Sequence, residues 1–195
     1  MTKQKFKTTT YAAIASIFMF VGCVFNVSAQ ADKEYISIEW TQLMPADDLQ
    51  ALLNPPEFIG NIQDGTAQDS VDALSEMGED NETAARFQAA LKSSRVVDAF
   101  NNINIRLPGF VVPIESDEEQ RITSFFIVPY FGACLHMPPP PPNQIIYVET
   151  KEGIELDVLY DPLLFEGTIV IEQTENAVAS SAYTLRLNSA EPYEG

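Results

Sequence analysis

The sequence predicts an α+β fold that is mainly β, in which a small β-barrel follows N-terminal helices. The first observation is a series of short apolar runs after residue 95, separated by turn residues. The second is that apolar residues recur at helical spacing only before residue 95. Five or six short strands at this spacing are typical of a small closed or half-open barrel.

The first thirty residues have the pattern of an export signal. Three lysines precede an apolar run at residues 11–25, which is too short to span a bilayer comfortably. Val27-Ser28-Ala29 offers the small residues that a signal peptidase reads, so we expect cleavage after Ala29. A second interpretation is a lipobox at residues 20–23, with Cys23 lipidated, although phenylalanine stands where leucine is usual. Both interpretations predict a periplasmic chain, soluble or lipid-anchored, without a transmembrane segment after processing.

The charge is strongly acidic. The formal charge of the whole chain is −17, and loss of the three signal lysines lowers it to −20. A surface this negative repels nucleic acid and anionic lipid and favours solubility, so we expect no nucleic-acid partner.

The sequence divides into three parts. Residues 1–29 form the signal peptide. Residues 30–94 are predicted to be an arm with helices, partly mobile, because residues 57–81 are rich in Gly, Asp, Gln and Ser. Residues 95–195 are predicted to form the barrel domain, which carries a Cys-x-His-polyproline loop.

The arm begins with a short strand or extended segment at residues 34–40, followed by two helices. The first is predicted to begin at Pro45, whose missing N–H costs nothing in the first turn, and to end at Asn54-Pro55-Pro56. Its apolar stripe comprises Leu49, Leu52 and Leu53. The second helix is predicted at residues 81–93, where apolar residues recur at Ala84, Phe87, Ala90 and Leu91.

Alternating or continuous apolar residues predict the strands, at 103–107, 110–114, 122–129, 144–149, 154–160, 167–173 and 183–188. Pro108-Gly109 is expected to separate the first two of these strands. Residues 117–119 and 151–153 are expected to be turns. Residues 175–180 are predicted to be a hairpin loop. We expect four aromatic residues to lie in the core, namely Phe125, Phe126, Tyr130 and Phe131.

Cys134 and His136 are the strongest candidates for chemistry. After removal of the signal Cys134 is the only cysteine, and His136 is the only histidine. Side chains at i and i+2 of an extended chain point the same way, so both donors can reach one ion. A thiolate and an imidazole suit zinc, with copper as the second choice. The sequence therefore predicts an open metal site at these two residues.

Two ligands do not complete a metal shell, so the remaining ligands are expected to be water, groups from a partner, or carboxylates such as Glu149, Asp157 and Asp161. Two alternatives stay open. The imidazole can instead activate Cys134 as the nucleophile of a thiol enzyme, or both side chains can be structural. The sequence holds no glycine-rich phosphate loop, serine-hydrolase elbow or zinc-protease helix.

The metal candidates are followed by a rigid segment. Pro138, Pro139, Pro140, Pro141 and Pro142 are expected to form a stiff polyproline strut that supports the loop or contacts a partner. In the second case the chain would be a non-catalytic interaction module of an envelope transporter, which is a further alternative to metal binding. The amides of Asn143 and Gln144, which end the strut, are expected to support Cys134 or His136 from behind.

These motifs resemble a known family. The resemblance rests on Arg106-Leu107-Pro108-Gly109-Phe110, on Phe126 to Pro129, and on the Gly-Ala-Cys-x-His-x-Pro-Pro-Pro-Pro-x-Asn-Gln motif that begins at Gly132. Together they are similar to the bacterial "domain of unknown function 3299" family over roughly residues 95 to 190. The resemblance implies an exported protein or lipoprotein with an OB-like, partly open barrel. It also implies an accessory role in metal handling beside an envelope ABC-type transport system.

Overall fold

The computed structural model describes residues 33–57, 81–133, 139–156 and 158–194. The predicted signal peptide, Cys23 and most of the predicted connection at 57–81 lie outside these residues. Residues Lys33–Gly195 form one compact unit. Its strands are β1 (Ile36–Ser37), β2 (Ile103–Ser116), β3 (Ile122–Val128), β4 (Ile146–Ile154), β5 (Leu163–Glu175) and β6 (Ser180–Pro192). Its α-helices are α1 (Ala46–Leu53) and α2 (Glu82–Leu91), and short 3₁₀ helices cover Trp40–Leu43, Asp98–Phe100 and Pro142–Gln144.

Five of the strands close into a barrel. The hydrogen-bonded order is β2-β3-β4-β6-β5, and β5 returns to pair with β2. The β4–β6 pair is parallel, and the other pairs in the barrel are antiparallel. The short strand β1 adds to β2 in parallel. The prediction of a mainly β, OB-like barrel with N-terminal helices is confirmed, and the barrel is closed rather than partly open.

The predicted interruption at Pro108-Gly109 is wrong, because β2 is continuous from Ile103 to Ser116. The first half of this strand pairs with β5 as far as Gly109, and the second half pairs with β3 from Phe110 onward. One strand therefore serves both sides of the barrel and changes partner at the proline and glycine. An ideal Cβ on Gly109 would lie 2.5 Å from Ile127 Cγ2 and 3.1 Å from Val128 O, so only glycine fits at this corner.

The second correction concerns β4. Residues 151–153, predicted as a turn, belong to β4, and the strand predicted at 154–160 is not formed in the described part of that range. Gly153 has a φ of 65°, and the register with β3 passes from Glu149 to Ile154 while β3 passes only from Ser124 to Ile122. The residues that the sequence pattern predicts as a turn therefore form a bulge inside a strand.

The core lies on both sides of β3. The main cluster fills the barrel and includes Phe125, Phe165 and Leu185. A smaller cluster on the opposite face contains Phe126 and Val128. The prediction that this strand is covered on both faces is confirmed, because five of its seven residues, from Ser124 to Val128, are buried without a break.

The N-terminal segment is bonded to the barrel. Tyr183 on β6 is fully buried, and its hydroxyl donates to Leu43 O and accepts from Val97 N, each at 2.8 Å. Burial raises the pKa of Tyr183 above its ordinary value, because ionisation would leave a phenolate away from water. The indole Nε1 of Trp40 donates to Pro108 O at 2.8 Å. These bonds attach residues 38–43 to the barrel, and Ile38 and Leu43 belong to its core.

Both N-terminal helices are confirmed. Asn81 caps α2 through its side chain, which accepts from Thr83 N and Ala84 N. Helix α1 differs from its predicted stripe, because Leu53 is 64% exposed while Asp48 is buried. The buried carboxylate is satisfied by Ser93 Oγ at 2.5 Å and by the Arg95 guanidinium at 3.0 Å. No helix among the described residues has the length and apolarity needed to cross a membrane.

Replacing Gly109 with alanine is expected to destabilise the protein by about 1–3 kcal/mol, because the new methyl overpacks the β2 corner against Ile127. Urea unfolding followed by circular dichroism measures the change. Adding Ile127→Leu, which removes the branching methyl, should recover part of the loss. A Gly109→Ala protein as stable as the wild type would contradict the argument.

Candidate binding groove beside the polyproline turn

The candidate site follows the last residues of β3. After Val128 and Pro129 the chain turns at residues 130–133 and buries Ala133 completely. The predicted metal ligands Cys134 and His136, together with Pro138, lie outside the described residues. The structure therefore describes the two ends of the Cys-x-His loop, at Ala133 and Pro139, but neither brings the two ligands together nor separates them.

The described prolines lead into a buried turn. Pro140 and Pro141 are buried, Pro139 and Pro142 are half-buried, and Pro141 has polyproline geometry with φ −64° and ψ 157°. The 3₁₀ helix Pro142–Gln144 then begins with a proline, which loses no hydrogen bond there. Most of this run is therefore packed into the protein rather than free in solvent.

Asn143 and Gln144 tie this turn to the N-terminal segments. Asn143 is fully buried; its Nδ2 donates to Arg95 O at 3.0 Å, and its backbone N–H donates to Ser93 O at 3.3 Å. Gln144 Nε2 donates to Trp40 O at 2.8 Å. Both amide donors are thus used to hold neighbouring backbone. Asn143 Oδ1 is buried and accepts no hydrogen bond from a described residue, so its predicted support of His136 stays a prediction.

The prolines form one wall of a groove of about 430 Å³. Leu49 and Leu52 of α1 and Leu91 of α2 form a second wall. The rest of the lining comes from the segments that flank these walls, namely Thr41, Met44, Pro129, Tyr130 and Gln144. None of these side chains carries a charge, so the groove is apolar with a few neutral hydrogen-bonding groups.

Exposed aromatic rings lie next to the groove. The prediction that four aromatics are core residues is confirmed for Phe125 and Phe126 and wrong for Tyr130 and Phe131, which are 44% and 53% exposed. Phe131 makes edge contacts with Phe110 and with Tyr160, at centroid distances of 6.4 and 6.2 Å. We call Phe110, Phe131 and Tyr160 the aromatic ridge. Because Tyr130 lines the groove and Phe131 follows it, the groove and the ridge are adjacent along the chain.

Charged groups secure the helix wall from outside. The guanidinium of Arg95 bonds both Asp47 and Asp48 in the first turn of α1. The hydrogen bond from Arg95 lowers the pKa of Asp47 below its ordinary value. Since Arg95 O also accepts from Asn143, residue 95 links α1 to the polyproline turn. These charges therefore position the walls of the groove and do not line it.

The described residues contain no group of three or more His, Cys, Asp or Glu side chains placed to hold a metal. Of the three carboxylates suggested as further ligands, Asp157 lies outside the described residues. Glu149 Oε2 accepts from the Tyr147 hydroxyl at a long 3.5 Å, and no side-chain bond is formed by Asp161 within the described part. Metal binding thus depends on residues that the structure does not describe.

Sequence reasoning missed the groove itself. Helical spacing marked Leu49, Leu52 and Leu91 as apolar faces, but it contained no information on what those faces meet. The one signal in the sequence was the position of Asp48 on the apolar side of its helix, because a carboxylate there requires a partner from another segment.

Gln144→Met is expected to destabilise the protein by about 1–3 kcal/mol, because it leaves the carbonyl of Trp40 without its donor inside the protein. Hydrogen exchange should also become faster at residues 40–44. Gln50→Met on the exposed face of α1 is the matched control and should change stability by less than about 0.5 kcal/mol. Equal effects of the two substitutions would contradict the anchoring role.

The comparisons with known proteins agree on one family. The family model described as "Protein of unknown function (DUF3299)" matches residues 40–192. Among solved structures, the chain is similar to the crystal structure of a DUF3299 family protein from Pseudomonas aeruginosa PAO1, with 36% identity and a TM-score of 0.59. That match covers 84% of this chain and 99% of the other. No curated protein matches the chain. The match begins at residue 40, so the helices belong to the family's region as well as the barrel.

Proposed function

Because the chain belongs to the DUF3299 family of proteins of unknown function, its role has to be inferred from its own surface, and we propose that it is a non-catalytic interaction module. Its groove beside the polyproline turn binds an apolar segment with aromatic side chains, supplied by a partner protein. The observation that carries this proposal is the groove itself, which is lined by three prolines and by leucines of two helices.

The chemistry of the walls selects the ligand. Proline rings are rigid apolar surfaces that pack well against aromatic rings, and a preformed wall loses little entropy on binding. The groove's volume of about 430 Å³ suits a few large side chains rather than a folded domain. The aromatic ridge offers a second apolar contact for the same segment, because Phe131 and Tyr160 are 53% and 65% exposed.

The cellular setting of the proposal comes from the sequence. Export by residues 1–29, or lipidation at Cys23, would place the domain in the periplasm or at a membrane facing it. The family resemblance implies a role beside an envelope ABC-type transport system, and we propose that the partner is a component of that system. The acidic charge of the chain disfavours nucleic acid as the occupant of an OB-like barrel.

Leu52→Asp is expected to weaken binding of an aromatic peptide by roughly tenfold or more, because it places a charge in an apolar wall. The probe is a six-residue peptide with two tryptophans and one leucine, flanked by lysines for solubility. Binding is measured by isothermal calorimetry and by amide shifts in the isotope-labelled mature chain. Shifts should cluster at residues 41–52, 91 and 139–144.

Leu53→Asp is the matched control, since Leu53 is the next residue of the same helix, lies outside the groove and is 64% exposed. It should bind the peptide as the wild type does. Shifts spread over the whole chain, or equal losses in both variants, would overturn the groove as the site. A dimer that Leu52→Asp dissociates would identify the occupant as a second copy of the chain and would also overturn the proposal.

A second candidate function is metal binding at Cys134 and His136, with zinc first and copper second, in support of metal handling by the same transport system. One observation favours it beyond the two-residue spacing. Asn143, seven residues after His136, has a buried side-chain oxygen without a donor among the described residues. Histidine ligands commonly donate their second ring N–H to such an acceptor. With two ligands from the loop, the site would be open and completed by a carboxylate, water or a partner.

Metal analysis of the untagged mature chain tests this candidate. Wild-type protein dialysed against limiting zinc or copper should retain metal, and both Cys134→Ala and His136→Ala should lose it, since removal of either donor leaves one ligand. A wild-type chain that emerges metal-free would contradict metal binding, and rapid alkylation of Cys134 at neutral pH would instead favour the thiol-enzyme alternative.

A further inference from the structure

A second groove opens between β4 and β6, away from the residues that line the polyproline groove. Its volume is about 980 Å³. The groove is lined by the residue before β3, by the bulged end of β4 with the residue after it, and by the last part of β6. These residues are Arg121, Thr150, Lys151, Glu152, Gly153, Ile154, Glu155, Leu187, Asn188, Ser189 and Ala190.

The groove exists because two neighbouring strands of the barrel separate. β4 and β6 pair in parallel only at Ile146 with Tyr183 and at Tyr147 with Thr184. Beyond that point β4 bulges, with Gly153 at a φ of 65° and its position for a Cβ only 2.6 Å from Arg121 Cβ. The β4–β6 ladder ends at Tyr147, before this bulge, and residues of both strands beyond the ladder border the groove.

In the part of the chain that the structure describes, β6 after Thr184 is therefore an open edge. It stays bonded to β5 on one side as far as Pro192, while its other side pairs with no described residue after Thr184. Alternate residues of such a strand direct their N–H and C=O groups outward, where another strand can bind them. Ile154, Leu187 and Ala190 are partly buried and pack against the main core, so the groove between the edges has an apolar floor.

The charges at the rim select the kind of strand. Arg121 is bonded to Asp117, with an N–O distance of 2.7 Å, and to Glu119 at 3.5 Å. These bonds neutralise Arg121. The other charged residues of the lining are one cation, Lys151, and two anions, Glu152 and Glu155, so the rim has a net negative charge. The whole chain is negative as well, with a formal charge of −17 before processing. An acidic extended segment would be repelled here, and a basic one would be attracted.

From these observations we propose that the β4–β6 groove is a strand-accepting site for an extended basic segment of a partner protein. The segment adds to the free edge of β6, with alternate apolar side chains over Leu187 and Ala190 and basic side chains toward Glu152 and Glu155. This site is independent of the polyproline groove, since the two linings share no residue.

The test uses a seven-residue peptide that alternates lysine with valine, blocked at both ends, and the isotope-labelled mature chain. Binding should protect amides of residues 185–191 from exchange and should shift Gly153 and Ile154. Two matched peptides separate the causes of binding. Replacing lysine with glutamate, or methylating alternate backbone nitrogens in either register, should each weaken binding by roughly tenfold or more.

The variants complete the test. Glu152→Lys combined with Glu155→Lys should weaken the lysine peptide by roughly fivefold to twentyfold. Glu34→Lys combined with Glu82→Lys makes the same change in net charge on exposed residues outside the groove and should have little effect. Unchanged exchange at 185–191, equal binding of the methylated peptides, or equal losses in the two double variants would each overturn the proposal.

Discussion

The candidate site depends on the burial of Asn143. This side chain is fully covered, and its amide and backbone N–H hold the carbonyls of Arg95 and Ser93. The side chains of Ser93 and Arg95 also donate hydrogen bonds to Asp48, in the first turn of α1. A buried amide must keep its partners or lose the free energy of several unsatisfied groups. Hydrogen bonds therefore join the polyproline turn, residues 93–95 and α1, and they support the polyproline groove together with its apolar contacts.

The barrel has a comparable constraint at Tyr183. Its hydroxyl joins Leu43 and Val97 inside the protein, so the N-terminal segment is held at the position where it must meet the prolines. Gln144 reaches the same segment from the other side through Trp40 O. These buried bonds hold residues 38–43, whose secondary structure is the short 3₁₀ helix Trp40–Leu43. The family match begins at residue 40 and so includes part of this segment.

The fold class could be predicted from the sequence because it follows from local patterns. Alternating or continuous apolar residues marked β2, β5 and β6, and apolar residues at helical spacing marked α2. The errors at Pro108-Gly109 and at residues 151–153 have a common cause. Glycine and proline usually end a strand, but in a small closed barrel they also permit the corner and the bulge that closure requires. Tyr130 and Phe131 were misassigned for a similar reason, since an apolar run after a buried strand does not reveal where the strand leaves the core. The groove could not be predicted, because it joins helix faces to prolines about fifty to ninety residues away.

Closure of the barrel and exposure of its two grooves are connected. β2 is long enough to pair with both β3 and β5, so the barrel closes on that side without help from β4 and β6. The β4–β6 pairing is then free to be as short as two residue pairs. The seam costs some hydrogen bonds, but the core beneath it is still covered by β5 and β6, which pair along nearly their whole length. A closed barrel whose weakest ladder lies between parallel strands can thus keep one accessible edge without losing its core. The helices line the polyproline groove and not the β4–β6 groove. The protein therefore has two separate surfaces of different chemistry. One is apolar and neutral, and the other has free backbone groups and negative charge at its edge.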